Sequence, residues 1–239
     1  MKITLHLFFI FSSFYVYSQN RDTLLLPKVI NELQLNEANI HYGLVVDKIL
    51  PYSEDKTVFV IPVQTNVDEE SNDYFEFDAY IVIADNKNRK IINKFHEPDA
   101  WVSDVVILES IEIDTGLYIL NEETRAFGIR LNYSGSSRVN PYYETKLSLF
   151  ILQDNKLKKI LEDLSVYYYN GEWDMNCEGE FQTIKSHILM DKEISANFKN
   201  LIIKTEITET SIFDCIEKEK EIFKRSEKIK YNGEIYLVL

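Results

Sequence analysis

Arg125-Ala126-Phe127-Gly128-Ile129-Arg130-Leu131-Asn132-Tyr133 decides how the rest of this chain reads. Phe127, Ile129, Leu131 and Tyr133 are large and apolar, whereas Ala126, Gly128, Arg130 and Asn132 between them are small or polar. A period of two sends alternate side chains to opposite faces, so this is a β-strand with one face buried. Residues 57–65, 75–83, 145–152 and 201–208 show the same enrichment in β-branched and aromatic types. Asn170-Gly171 and Asn232-Gly233, each between Tyr and Glu, read as hairpin turns, because Asn-Gly readily takes the positive φ of a tight turn. The expected fold is all-β, an antiparallel, sandwich-like single domain over residues 19–239. Helix is scarce. The best candidate is 211–225, with Ile212, Phe213, Ile216 and Phe223 on roughly one face, although Glu217-Lys218-Glu219-Lys220-Glu221 reads equally well as a solvated strand edge.

A faint internal repeat runs through the strands. Asp85-Asn86-Lys87-Asn88-Arg89-Lys90-Ile91-Ile92 aligns with Asp154-Asn155-Lys156-Leu157-Lys158-Lys159-Ile160-Leu161, and residues 58–65 align with 126–133 in nearly the same frame. Hairpins resemble one another for reasons of turn and strand chemistry alone. A true repeat implies stacked antiparallel units, with a propeller as the alternative to the sandwich.

Upstream of the strands, Lys2, an apolar stretch from 3 to 17 and Val16-Tyr17-Ser18 have the layout of a secretory signal peptide spanning 1–18, cleaved before Gln19. The stretch is too short and too interrupted by His6, Ser12 and Ser13 for a membrane span, and no later segment approaches that length. The expectation is a secreted or periplasmic protein with no membrane span after cleavage. Cys177 and Cys215 are the two cysteines, and in an oxidising compartment they are expected to pair. Lys and Arg number 26 against 39 Asp and Glu, a net charge of −13, which repels nucleic acid and anionic headgroups.

The densest polar-aromatic patch is Tyr167-Tyr168-Tyr169-Asn170-Gly171-Glu172-Trp173-Asp174-Met175-Asn176-Cys177-Glu178-Gly179-Glu180-Phe181. The second is Ser134-Gly135-Ser136-Ser137-Arg138-Val139-Asn140-Pro141-Tyr142-Tyr143-Glu144. Glu172 and Asp174, two apart on a strand, would share a face at roughly 6–7 Å, near the carboxylate separation of inverting glycosidases. Any Glu-x-Asp on a strand gives that number. Trp173 between them suits a sugar-stacking platform, and the plain structural alternative is a turn with the ring packed inside. Arg125, Arg130 and Arg138 suit bidentate carboxylate recognition. Arg130, on the polar face of its strand, would meet Glu172 or Asp174, or make an ordinary cross-strand salt bridge. Asn140-Pro141-Tyr142 reads as a fixed turn. The candidate binding residues are therefore Arg130, Arg138, Tyr142, Glu172, Trp173 and Asp174.

Together the two patches resemble an uncharacterised family of exported bacterial proteins that carries similar Ser-Arg-x-Asn-Pro-Tyr and Gly-Glu-Trp-Asp-x-Asn-Cys-x-Gly-Glu-Phe segments, from about Asp99 to Phe181. The Ser18-Gln19 junction and the Ile, Asn and Lys bias are similar to Bacteroidetes-type secreted proteins. The resemblance implies export and relatedness, and carries no reaction.

Enzyme signatures are sparse. His41, His96 and His187 form no His-x-x-x-His pair and none adjoins a cysteine, so no zinc site is expected. There is no Gly-x-Ser-x-Gly elbow and no phosphate loop. Ser53-Glu54-Asp55-Lys56 matches Ser-x-x-Lys but leads into a strand, and Asp68-Glu69-Glu70-Ser71-Asn72-Asp73 lacks the calcium-loop spacing. No cofactor and no metal is expected. The leading functional expectation is a binding or interaction protein for a glycan, a peptide or an envelope protein. The alternatives are a polysaccharide hydrolase using Glu172 and Asp174, and an inhibitor or immunity-type protein.

Overall fold

The computed structural model describes residues 24–67 and 74–237. The expected signal peptide with its junction at Gln19, and the acidic loop 68–73, lie outside the described residues. Two antiparallel sheets make up the fold, which is an all-β sandwich. The first is a meander of β1 (Val46–Leu50), β2 (Ser53–Val67), β3 (Phe75–Asp85) and β4 (Lys90–Ser103). The second runs in order through β5 (Val106–Asp114), β6 (Phe127–Gly135), β7 (Tyr142–Gln153), β8 (Lys156–Trp173), β9 (Gly179–Ser195), β10 (Phe198–Phe213) and β11 (Ile216–Ile229).

Alternation in the strands builds the layers. Phe127, Ile129 and Leu131 of β6 pack against Val58, Val60, Phe77, Ile81 and Ile83 of the first sheet, forming one core between the sheets. The opposite parity of the second sheet, Ala126, Leu147, Leu149 and Ile151, meets Leu201, Ile203, Phe198, Ile229 and Tyr236 in another. Burying each such aliphatic side chain stabilises the fold by roughly 1.5–3 kcal/mol. A short helix, α1 (Leu26–Leu33), covers the outer face of the first sheet by placing Val29 and Ile30 on Phe59, Ile61 and Val82. Its Leu26, Val29, Ile30 and Leu33 follow helical spacing, and Pro27 sits in the first turn where its missing N–H costs nothing.

Two expectations about local structure are corrected. Residues 211–225 are a hairpin and not a helix, and the strand-edge alternative for 217–221 holds: β10 turns at Asp214-Cys215 into the edge strand β11, with Phe213 paired to Ile216 and Ile212 to Glu217. Asp214 and Cys215 lie at φ 51° and 62°, which ends any helix and closes a two-residue hairpin. The same device, with both central residues at positive φ, closes β7–β8 at Asp154-Asn155 and β9–β10 at Ala196-Asn197. Asn170-Gly171, in contrast, is no turn. It lies within β8, where Asn170 pairs with Tyr142 and Gln182, and Gly171 with Phe181. Asn232-Gly233 does turn: Gly233 has φ 105°, and Asn232 Oδ1 accepts from the Glu234 and Ile235 N–H groups.

The sequence repeat falls on corresponding strands of consecutive meanders, β2 with β6 and the β3–β4 turn with the β7–β8 turn. Separate propeller blades do not form, because β9 hydrogen-bonds to β8 and carries the second sheet on to seven strands. That pairing uses only residues 167–173 of β8, opposite 179–185 of β9. Lower down, the Tyr236 N–H reaches the Ile160 carbonyl at 2.7 Å and closes over the core instead. The upper parts of β8–β11 therefore extend past the core: no residue in 167–185 or 206–228 is buried. They form a single-layer sheet with both faces exposed.

Candidate functional site

The tip of this projecting sheet is tied covalently. Cys177, in the β8–β9 turn, is bonded to Cys215 in the β10–β11 turn, with Cα atoms 4.3 Å apart, as the export reading expects. Asp174 builds the first turn: its Oδ1 accepts from the N–H groups of Asn176 and Glu178, both at 2.9 Å, and its own N–H donates to the Glu178 carbonyl. Those backbone donors, Glu178 and Asn176 first, hold its carboxyl below the ordinary range. β8 ends at Trp173, so Asp174 is not on the strand and the spacing argument that would place it beside Glu172 does not apply.

Register sorts the other candidates onto two faces. The inner face carries Tyr142, Tyr168, Asn170, Glu172, Glu180, Gln182 and Glu209. They line an open groove of about 610 Å³. Tyr142 and Tyr168 meet edge to face at 5.5 Å, and the Tyr142 hydroxyl donates to Glu144 at 2.7 Å. Burial, reinforced by that carboxylate, pushes the phenol well above its ordinary range. Glu172 and Glu180 are directly opposed across the β8–β9 ladder. Lys220 binds Glu180 and holds that carboxyl below its ordinary value. Asn170 Oδ1 is buried in the groove floor with no hydrogen-bond partner among the described residues.

The outer face is aromatic. Tyr143, Tyr169, Phe181 and Trp173 share it, because their positions on β7, β8 and β9 have matching parity. Phe181 lies over Gly171 and Gly179. A Cβ on Gly171 would come within 2.6 Å of the Glu180 carbonyl as well as striking the Phe181 ring, and one on Gly179 within 2.8 Å of that ring. The two glycines of the Gly-Glu-Trp and Gly-Glu-Phe segments thus leave a flat bed in which the ring lies down on the sheet with one π-face outward. Tyr169 is parallel to it within 7° at 5.9 Å, and Tyr143 follows at 6.0 Å, tilted by 39°. Trp173 is half-buried, belongs to none of the three cores, and lines an open hollow at the tip with Ile212 and Phe213. Its main-chain N–H donates to the Val139 carbonyl at 2.8 Å, so the loop that bears exposed Arg138 joins the two patches picked out by the sequence.

Arg130 is placed elsewhere. Its guanidinium clasps Asp114 through Nε at 2.8 Å and Nη2 at 2.7 Å, and the Tyr118 hydroxyl adds a third bond to the same oxygen. This is the cross-strand salt bridge alternative, with Asp114 as partner and not Glu172 or Asp174. Arg125 stacks on Tyr52 at 4.3 Å and donates to the Thr115 and Gly116 carbonyls, a structural role. The candidate residues Glu172 and Tyr142 fall on the inner face, Trp173 on the outer. Tyr143, Tyr169 and Phe181 lie outside the candidate binding residues; the odd-numbered run Tyr167, Tyr169, Gly171, Trp173 signals Tyr169 once β8 is read as continuous, and Tyr143 and Phe181 join it through register alone. Among the described residues no cluster of His, Cys, Asp or Glu could hold a metal ion, and no helix is long and apolar enough to cross a membrane. Compared with known proteins, the chain matches no family model, no curated protein and no solved structure.

Proposed function

We propose that this chain is an exported glycan-binding protein whose binding surface is the outer aromatic face of the projecting sheet. The observation that carries the reading is the flat pair Tyr169 and Phe181, seated on glycines and flanked by Tyr143 and Trp173, on a sheet face that no other element among the described residues covers. Parallel, half-buried rings with an open face give sugar C–H groups a large contact at small entropic cost, since each ring has only two side-chain torsions to fix. The disulfide and the N-terminal sequence support an oxidising, extracytoplasmic destination, and the resemblance to exported bacterial proteins agrees with it.

A hydrolase is the second reading, favoured by the opposed carboxylates Glu172 and Glu180 in the inner groove. It needs a protonated general acid. Lys220 holds Glu180 in the opposite direction, and the groove is open to water.

Oligosaccharide-array binding of the parent protein, Tyr169→Ala and Trp173→Ala tests the proposal. The parent is expected to bind, and both variants to melt as the parent does while losing that binding. Retained binding in both variants, or sugar release that Glu172→Gln abolishes, would move the function to the inner groove.

A further inference from the structure

Below the aromatic row, the same outer face turns basic. Two residues past Thr183, the register partner of Tyr169, the ladder reads Lys185–Glu206–Lys224, and two residues further His187–Lys204–Ser226. These side chains line a shallow trough of about 420 Å³, with Arg225 at its edge. Lys185, His187, Lys204 and Lys224 are all exposed. In a chain of net charge −13, Lys185, Lys204, Lys224 and Arg225 around a single acid go against the overall composition. Glu206 is the one acid among them. It pairs with Lys224 at 2.8 Å, and that bond, with smaller contributions from Lys185 and His187, holds its carboxyl below the ordinary range. Beyond the trough, Lys228 is already neutralised by Asp191 and Glu193. At the tip end, Glu217 and Glu219 share the aromatic face, so the cationic field is confined to the end nearer the core.

We propose that the ligand of this face is an acidic oligosaccharide, with a sugar ring on the Tyr169–Phe181 platform and its anionic groups on Lys185 and Lys204, beside the Lys224–Glu206 pair and His187. The inference rests on the glycan reading above and adds charge to it. Along a strand, residues two and four apart are separated by about 7 and 14 Å, so one extended chain lying along β9 spans both features. Uronate carboxylates and sulfate esters offer the same chemistry to this strip. Exposed lysines in water give attraction that salt screens, so the affinity is predicted to fall as ionic strength rises.

Titration calorimetry with three probes separates the cases: an oligogalacturonate, a sulfated chondroitin oligosaccharide, and neutral cellohexaose. The variants are Lys185→Gln/Lys204→Gln/Lys224→Gln and, separately, Tyr169→Ala, with thermal melting as the control for folding. One or both acidic probes are expected to bind more tightly than the neutral one, and the one that binds identifies the anionic group. The triple lysine variant should lose roughly tenfold in affinity for it, together with most of the salt dependence. Tyr169→Ala should weaken acidic and neutral binding alike. Equal affinity for acidic and neutral probes, unchanged in the triple variant, overturns the acidic ligand and leaves glycan binding standing. No binding of any probe overturns both.

Discussion

Replacing Cys177 and Cys215 together by Ser should loosen the projecting sheet before it disturbs the core. The bond closes a loop of 38 positions, for which the chain-entropy relation gives a stabilisation of about 4 kcal/mol. Above the core, no residue in 167–185 or 206–228 is buried, so hydrophobic burial contributes little there. What remains is the hydrogen-bond ladder, cross-strand pairs worth roughly 0.2–1 kcal/mol each, and the Tyr169–Phe181 contact, roughly 0.5–1.5 kcal/mol. Loss of the crosslink is therefore equivalent to losing several of these pairs at once. Urea denaturation should show a lower midpoint in the double variant. Hydrogen exchange should show amides in 168–173, 179–184 and 207–213 losing protection while those of β2, β6 and β7 keep theirs. Tip amides that stay protected as long as β6 amides in the variant would refute the view that the sheet stands without a core of its own.

Gly171→Ala should cost about 1–3 kcal/mol, because the added Cβ meets both the Phe181 ring and the Glu180 carbonyl; it should also tilt the ring off the sheet, visible as an upfield or downfield move of the Phe181 ring resonances. Asp174 has a lowered carboxyl pKa from the Glu178 and Asn176 N–H groups, so its support of the turn is complete above the unfolded value, about 4, and fades as pH falls through the lower folded one. Trp173 emission should report that loosening on acid titration, and Asp174→Asn should shift or remove it. Ala196→Gly should stabilise by about 0.5–1 kcal/mol, since Ala196 sits at φ 45° where a Cβ is disfavoured; a lower melting temperature in that variant would contradict this.

The layered core was readable in the sequence because its signal is local. Alternation in 125–133 alone gives the face of β6 that packs on the first sheet, but the other face is buried as well, with Ala126 and Gly128 beneath the second core, which a half-buried pattern does not show. The cysteine pair was readable from compartment chemistry. Asn170-Gly171 misled because Asn-Gly marks a turn through backbone freedom, whereas Gly171 is needed here for the absence of a side chain under Phe181, a contact between strands that no local pattern shows. The helix α1 has only eight residues, too few for periodicity to stand out. Arg130 found Asp114 because β5 lies beside β6, and strand order is a long-range property. The outer face went unassembled for the same reason: Tyr143, Tyr169, Phe181 and Lys204 come from four strands, and only register brings them into one plane.

Nuclear Overhauser contacts between a bound oligogalacturonate and the protein's ring protons locate the ligand directly, because the two faces of β8 carry different rings. Contacts from sugar protons to Tyr169 and Phe181 are predicted, with none to Tyr142 and Tyr168. Contacts to Tyr142 and Tyr168 instead would place the ligand in the inner groove beside Glu172 and contradict the outer-face site.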